Sequence, residues 1–111
     1  MTTYIKVKWQ FEGFHTYINA PEEVSFLKYK HRHLFKCSAQ IQVFHDEREL
    51  EFIIVQRKLK SVFNDGNMSN KSCETIAKEI IKYLIDQYGD NRKVVVEVSE
   101  DGENSSIVDN L

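Results

Sequence analysis

Three histidines are the residues in this chain whose type and spacing indicate the most specific chemistry. His31 and His33 are separated by one residue in the segment HRHLF, and His15 precedes them in the chain. In an extended strand, side chains two residues apart point the same way and lie about 6–7 Å apart, so both imidazoles can reach one ion. Catalytic zinc usually has three protein ligands and one position left for water or substrate. His15, His31 and His33 are therefore candidate ligands of one zinc ion.

A surface without a metal is the alternative interpretation of the same residues. Histidine pairs with this spacing also arise by chance, and the neighbouring Lys28, Lys30 and Arg32 are typical of a basic surface turn. The fourth histidine, His45, lies at the far end of the strand that follows the pair, so we do not expect it to join the site.

Two alternating segments are expected to position the histidines. Residues 4–11, YIKVKWQF, place apolar side chains on one face and polar ones on the other, and residues 37–45 alternate in the same way. This period of two predicts two half-buried strands. If they pair antiparallel, the end of the first strand lies beside the beginning of the second, which brings His15 close to the histidine pair. Residues 12–34, with the only proline, predict a long connection of the kind that is often functional.

The rest of the chain predicts further strands and a pair of helices. After the polar DERE, the apolar LEFIIV predicts the second strand of a β-hairpin, and residues 55–63 predict a short helix. A longer helix with one apolar stripe is predicted between an N-cap at Ser72 and a stop at Gly89. Residues 93–98, KVVVEV, predict a buried strand. The last residues predict a polar turn followed by a short strand or a frayed tail.

This order of elements predicts an α+β fold. Strands on both sides of a helix pair favour an antiparallel β-sheet with two helices on one face, built by residues 1–111 as a single domain. The other face of the sheet carries mixed polar side chains. It is therefore suited either to solvent or to the inside of a larger oligomeric barrel.

The charge and cysteine content exclude several classes of protein. The chain has 17 acidic and 15 basic residues and a net charge of −2, so it lacks the positive charge typical of proteins that bind nucleic acid or anionic membranes. No apolar segment approaches the length of about 20 residues that crosses a bilayer, and the first residues do not resemble a signal peptide, so we expect a cytoplasmic protein. Cys37 and Cys73 lack CxxC spacing and are expected to be reduced and buried.

Four segments, in order along the chain, resemble the 6-pyruvoyl-tetrahydropterin synthase and 6-carboxytetrahydropterin synthase (QueD) family of tunnelling-fold, or T-fold, proteins. FEGFH matches a strand that ends in an aromatic residue followed four residues later by histidine. HRH matches the family's H-G-H, SCETIA its helix start T-x-E-N-L-A, and VEVSEDGEN a strand that ends in a ligand-binding glutamate. No single segment is specific, but together they span nearly the whole chain.

The resemblance implies a metal site, a ligand and an assembly. It implies that His15, His31 and His33 bind zinc and that a pterin-, purine- or nucleotide-like ligand binds between subunits. Glu100 corresponds to the residue that holds the amino-pyrimidine edge of the ligand, because a carboxylate accepts from two adjacent N–H donors. Glu103 replaces it if the turn register differs, and a solvated turn carboxylate is the alternative for Glu100. Family members join their sheets into barrels, usually hexamers of two trimers, which implies a homo-oligomer.

Several positions depart from the family pattern. The catalytic cysteine that precedes H-G-H corresponds to Leu27, and the loop NDGNMSNK supplies Asp65 but not the family's histidine. Val55 stands where an aspartate usually opens the first helix, and Arg32 replaces the central glycine of H-G-H, which is expected to add a charge beside the metal. General acid–base groups contribute about 10²–10⁴-fold each, so these losses are expected to weaken the synthase mechanism.

Three functions are open at the level of the sequence. The first is a T-fold protein that binds or sequesters its ligand, with catalysis changed or lost. The second is a divergent zinc-dependent pterin synthase or lyase, acting on dihydroneopterin triphosphate or a related substrate, in which Glu22, Glu23 or Tyr29 moves the protons. The third is a structural or protein-interaction domain in which the histidines coincide by chance.

Overall fold

The structure, a computed structural model, describes residues 1–64 and 66–111. Asp65, in the loop between the two helices, lies outside the described residues. The described elements are, in chain order, β1 (Thr3–His15), a 3-10 segment (Glu22–Lys28), β2 (His31–Val43), α1 (Phe52–Val62), α2 (Cys73–Tyr88), β3 (Val94–Glu100) and β4 (Asn104–Asp109).

The sheet is antiparallel throughout, in the order β1-β2-β3-β4. Helix α1 packs on β1, whereas α2 packs on β3 and β4. The core lies between this helical layer and the sheet, and its largest fully buried side chains include Phe35, Leu59, Ile76 and Ile80. The predicted α+β fold, with an antiparallel sheet and two helices on one face, is confirmed.

Strands β1 and β2 are longer than the alternation predicts. The predicted strand over residues 4–11 continues to His15, and β2 begins at His31 rather than Cys37, so the connection spans only 16–30. The end of β1 is held from outside the sheet, because the Phe14 carbonyl accepts from the Met68 backbone N–H at 2.8 Å. The extension matters because it carries the histidine positions into regular strand geometry.

The predicted hairpin strand LEFIIV is wrong, since this segment opens α1. The helix begins at Phe52, and the Glu51 side chain caps it by accepting from the Ile53 backbone N–H at 3.1 Å. Val55 and Leu59 are one turn apart and buried against the sheet, whereas Ile53 is about half exposed. An apolar run of β-branched residues favours a strand locally, but burial at helical spacing decides the outcome.

Helix α2 agrees with its prediction at both ends. Ser72 caps it by accepting from the Thr75 backbone N–H, and Gly89 ends it with a φ of 100°, a conformation that favours glycine. The predicted apolar stripe is buried and consists of Cys73, Ile76, Ala77, Ile80, Ile81 and Leu84. None of the helices in the described ranges combines the length and apolar content needed to cross a membrane.

The C-terminal hairpin completes the sheet. In β3, Val94, Val96 and Val98 are buried, and β4 pairs with it, which confirms the short final strand. Cys37 and Cys73 are free and buried, as the sequence predicts. Burial and the neighbouring Cys73 raise the pKa of the Cys37 thiol to about 12, so the core at this point carries no charge at neutral pH.

Candidate metal centre

Strand register brings the three histidines together. His15 pairs directly with His31, and Gly13 pairs with His33, at the end of the antiparallel β1–β2 ladder. The ring centroids are 4.5 Å apart for His15 and His31, 5.2 Å for His15 and His33, and 4.9 Å for His31 and His33. Each ring offers one ligand nitrogen, and these three atoms lie within 4.8 Å of one another. The predicted convergence is therefore present in the folded chain.

The Nδ1 atoms of the three rings all lie beside an oxygen that only accepts hydrogen bonds. The pairs are His15 with the Lys71 carbonyl at 2.8 Å, His31 with the Tyr29 carbonyl at 2.7 Å, and His33 with Asp101 Oδ2 at 2.7 Å. Such contacts require a hydrogen on Nδ1, which in the neutral ring leaves the lone pair of Nε2 free. Metal-binding histidines in proteins almost always have this kind of outer partner.

Two of the three Nε2 atoms are poorly satisfied by the protein. Within the described residues, Nε2 of His15 and Nε2 of His33 are buried and have no hydrogen-bond partner. Glu100 Oε2 lies 2.9 Å from His33 Nε2, but this contact lacks hydrogen-bond geometry. A buried polar atom without a partner costs about 1–3 kcal/mol. A divalent cation would satisfy both nitrogens, so the three imidazoles could hold a metal ion.

Segment 66–72 fixes His15 from outside the sheet. Thr16 N donates to the Ser69 carbonyl at 2.8 Å, and Ile18 N donates to Asn70 Oδ1 at 3.1 Å. These bonds align the segment with the end of β1, so that the Lys71 carbonyl meets the His15 ring. Ser72 then caps α2, which ties the metal centre to the start of the longer helix.

A cavity of about 430 Å³ adjoins His15. Its lining includes His15, Tyr17, Leu27, Ser72, Glu74 and Glu100. Glu74 accepts a hydrogen bond from the Ser106 hydroxyl, and Glu100 reaches from the end of β3. Leu27, which the sequence resemblance matches to the family's cysteine, is in the wall of this cavity, and its side chain cannot transfer a proton.

Glu100 lies between the histidines and Cys73. Its Oε1 is 3.8 Å from His15 Nε2 and 3.8 Å from Cys73 Sγ. Burial, and to a smaller extent the Glu100 charge, raises the pKa of Cys73 to about 12. The thiol therefore keeps its proton and donates to the carboxylate. Of the two glutamates proposed from the sequence, Glu100 is the one beside the histidines.

The other sequence-selected residues lie elsewhere. Glu103 is exposed and lines a separate cavity with Lys36 and Ser99. Arg32 alternates away from its histidine neighbours and lies 3.5 Å from Glu12, with 60% of its side chain exposed. The Arg32 charge therefore lies on the face opposite the two histidines, because i and i+1 in a strand face opposite sides. His45 follows β2 at the far end and accepts from the Glu47 backbone N–H.

The sequence analysis missed Asp101 as a partner of the site. Hydrogen bonds from the Leu34 backbone N–H and from His33 lower the pKa of the Asp101 carboxyl. In the sequence it was only one of several acidic residues in a polar turn. Its position directly after a strand end was the single available signal. The carbonyls of Lys71 and Tyr29 gave none, because every residue has one.

Comparisons with known proteins support the fold. A search of solved structures finds the 6-pyruvoyl tetrahydropterin synthase of Plasmodium falciparum, with a TM-score of 0.72, 15% identity and 98% of each chain covered. It also finds a Plasmodium vivax 6-pyruvoyltetrahydropterin synthase in which a catalytic glutamate is replaced by alanine, with a TM-score of 0.73, 15% identity, and 99% of this chain and 98% of that chain covered.

This chain has the 6-pyruvoyl tetrahydropterin synthase fold. The sequence-derived resemblance and the T-fold prediction are thereby confirmed at the level of structure. No protein-family model matches the sequence, and no curated protein matches it either. At 15% identity the likeness to the two synthases describes the fold alone.

Proposed function

We propose that this chain is a T-fold protein that binds zinc through His15, His31 and His33 and binds a pterin-, purine- or nucleotide-like ligand beside the metal. The observation that carries the proposal is the convergence of three imidazoles whose Nδ1 atoms are all engaged and whose ligand nitrogens lie within 4.8 Å of one another. Bound zinc would supply a Lewis acid at the edge of the cavity.

Glu100 is the proposed ligand-binding residue. Its carboxylate borders the cavity next to the histidines, and a carboxylate can accept from the two adjacent N–H groups of an amino-pyrimidine ring. Glu103 is the weaker candidate, since it lines a different cavity. Glu74, at the start of α2, adds a second carboxylate to the same wall. A ligand with several N–H donors suits this arrangement.

The residues that line the cavity favour ligand binding without the usual synthase reaction. Leu27 lines the cavity but offers no proton to transfer, whereas Glu100 borders the same cavity and the three histidines lie together. The two cysteines do not replace the missing group, because burial raises the pKa of both thiols to about 12. We therefore favour a protein that captures or sequesters its ligand.

The second candidate is a zinc-dependent pterin synthase or lyase that acts on dihydroneopterin triphosphate or a related substrate. The Plasmodium vivax synthase has a catalytic glutamate, and this chain carries exposed Glu22 and Glu23 in the 3-10 segment that leads to Leu27. Tyr29 follows the same segment. If Glu22 or Glu23 moves protons, zinc-loaded protein will turn over dihydroneopterin triphosphate, and Glu22→Gln or Glu23→Gln will stop it. If Tyr29 moves them, Tyr29→Phe will stop the turnover instead.

A homo-oligomer, a trimer or hexamer, is part of the proposal. Strands β1 and β4 are the edges of the sheet and leave backbone N–H and C=O groups for another strand. The free thiols of Cys37 and Cys73 favour a reducing compartment, so we propose the cytoplasm. Native mass spectrometry will give the number of subunits, and a monomer at micromolar concentration would contradict this part.

Metal analysis is the experiment that tests the main proposal. Protein purified without chelator is expected to contain zinc, and the His31→Ala variant is expected to lose it. A zinc content below one ion per three chains in the unaltered protein would contradict the proposed zinc site. Incubation with dihydroneopterin triphosphate then separates the two candidates, since stoichiometric capture without product supports sequestration and product formation supports the lyase.

A further inference from the structure

Asp101 makes three contacts with two consecutive residues of β2. Its Oδ2 lies 2.7 Å from His33 Nδ1, its Oδ1 accepts from the Leu34 backbone N–H at 2.8 Å, and its own N–H donates to the Leu34 carbonyl at 2.8 Å. The last regular pair between β2 and β3 is Phe35 with Glu100. Asp101 therefore continues the ladder by one step, with a side-chain oxygen in place of a backbone carbonyl.

This arrangement fixes the chemistry of one ring. A carboxylate accepts hydrogen bonds and cannot donate, so the His33 ring must carry a hydrogen on Nδ1, and the neutral ring then has its free lone pair at Nε2. His15 and His31 have backbone carbonyls as partners instead. His33 is thus the one histidine of the three whose orientation depends on a side chain, and a substitution can test it.

The same contacts also fix Glu100. Asp101 follows Glu100 directly, and its φ of 59° turns the chain sharply away from β3. The two hydrogen bonds to Leu34 hold this turn against β2, so Glu100 ends its strand beside His33, with Oε2 at 2.9 Å from Nε2. Asp101 thereby positions both the His33 ring and the Glu100 carboxylate.

We propose that Asp101 is a positioning residue of the metal centre, which holds His33 in the tautomer that leaves Nε2 free for the ion. The inference rests on the proposed function, because it presupposes that the three histidines bind zinc. Outer partners of metal-binding histidines typically affect metal affinity by roughly 10- to 100-fold. We expect a loss in this range when Asp101 can no longer accept from His33.

The Asp101→Asn variant provides the test. Asparagine tolerates the positive φ, and its single amide oxygen can still accept from the Leu34 N–H. Its NH₂ group then faces His33 and donates to Nδ1, which moves the ring hydrogen to Nε2. We expect ¹⁵N NMR of the metal-free protein to show the Nδ1–H tautomer in the unaltered chain and the Nε2–H tautomer in the variant.

Zinc affinity, measured by competition with a chromophoric chelator, gives the second measurement. Asp101→Asn is expected to bind zinc roughly 10- to 100-fold more weakly, with little change in the unfolding of the metal-free protein. Asp109→Asn, which removes the same charge from the exposed end of β4, is the matched control and should bind like the unaltered chain. Asp101→Gly, which also accepts the positive φ, serves if the asparagine variant does not fold, and should bind more weakly too.

The outcomes separate this inference from the proposed function. If the unaltered chain binds zinc and Asp101→Asn binds equally well, or if the ring tautomer does not change, the positioning role is overturned while the metal site stands. If the variant loses stability without metal but keeps its zinc affinity, Asp101 only holds the turn, and the inference is again wrong. If the unaltered chain binds no zinc, the proposed function fails and this inference fails with it.

Discussion

His15 and His31 form the last directly paired couple of the β1–β2 ladder, with ring centroids 4.5 Å apart. His15 is only 6% exposed, although it ends a strand at the border of a cavity. The pairing places two candidate ligands side by side, and strand alternation adds His33 on the same face. The convergence of the three histidines therefore depends first on sheet register.

Zinc is expected to stabilise the folded chain. A ligand that binds only the folded state adds about 2.7 kcal/mol when its free concentration is about 100 times its dissociation constant. Added zinc should therefore raise the midpoint of thermal unfolding, and a chelator should reverse the rise. His31→Ala should abolish the effect, whereas His45→Ala, at the opposite end of β2, should keep it. An equal rise in the His31→Ala variant would place the bound zinc elsewhere.

Gly13→Ala is expected to disturb the core beneath the site. A Cβ at Gly13 would lie 2.8 Å and 2.9 Å from two ring carbons of Phe35, which is fully buried. Overpacking of this kind typically costs about 1–3 kcal/mol. The Phe35 ring also contacts His15 and His33, with centroids 5.3 Å and 5.8 Å away, so zinc affinity should fall as well.

Gly66→Ala is the matched control for that substitution. A Cβ there meets its nearest atoms at 3.9 Å, an ordinary contact distance. Urea unfolding of the metal-free proteins should show a clear loss for Gly13→Ala and little change for Gly66→Ala. Equal midpoints for the two variants would mean that Phe35 moves aside at no cost.

Glu49 is expected to make stability depend on pH at the acidic end. The hydrogen bond from Arg92, followed by that from the Phe44 backbone N–H, lowers the pKa of Glu49 from 4.5 to about 2. Because the folded pKa is the lower one, this contribution is present above about pH 4.5 and is lost as the pH falls towards about 2.

Urea unfolding between pH 2 and pH 6 tests this dependence. Glu49→Gln should flatten the acidic part of the stability curve, because the group that titrates there is gone. Glu47→Gln, an exposed glutamate in the same turn, should leave the curve as it is. If the Glu49→Gln curve keeps the full acidic slope, other carboxyl groups account for it.

Both thiols are expected to be unreactive in the folded protein. Burial is the main cause that raises the pKa of Cys37 and of Cys73 to about 12, and the thiolate is the reactive form. At pH 8, a disulfide reagent such as dithionitrobenzoate should modify neither cysteine in the folded chain and both after denaturation. Rapid modification of Cys73 without unfolding would show that the contact with Glu100 does not protect it.

Local sequence patterns determined much of the scaffold. Alternation specified the centres of β1 and β2, and Ser72 and Gly89 specified the ends of α2. These features depend on the period of side-chain burial and on caps, which are properties of neighbouring residues. The same reasoning failed at residues 50–55, where β-branched residues favoured a strand and packing of Val55 and Leu59 on the sheet made a helix.

For the candidate site too, the sequence predicts some features and only the folded structure reveals the others. Histidine types and the HxH spacing could be read from the sequence, because i and i+2 share a face in any strand. Only the folded chain decided that His15 stands opposite His31, that Leu27 lines the cavity, and that Asp101 accepts from His33. Such contacts join residues far apart in sequence, and their existence depends on sheet register and on turns, which no local pattern encodes.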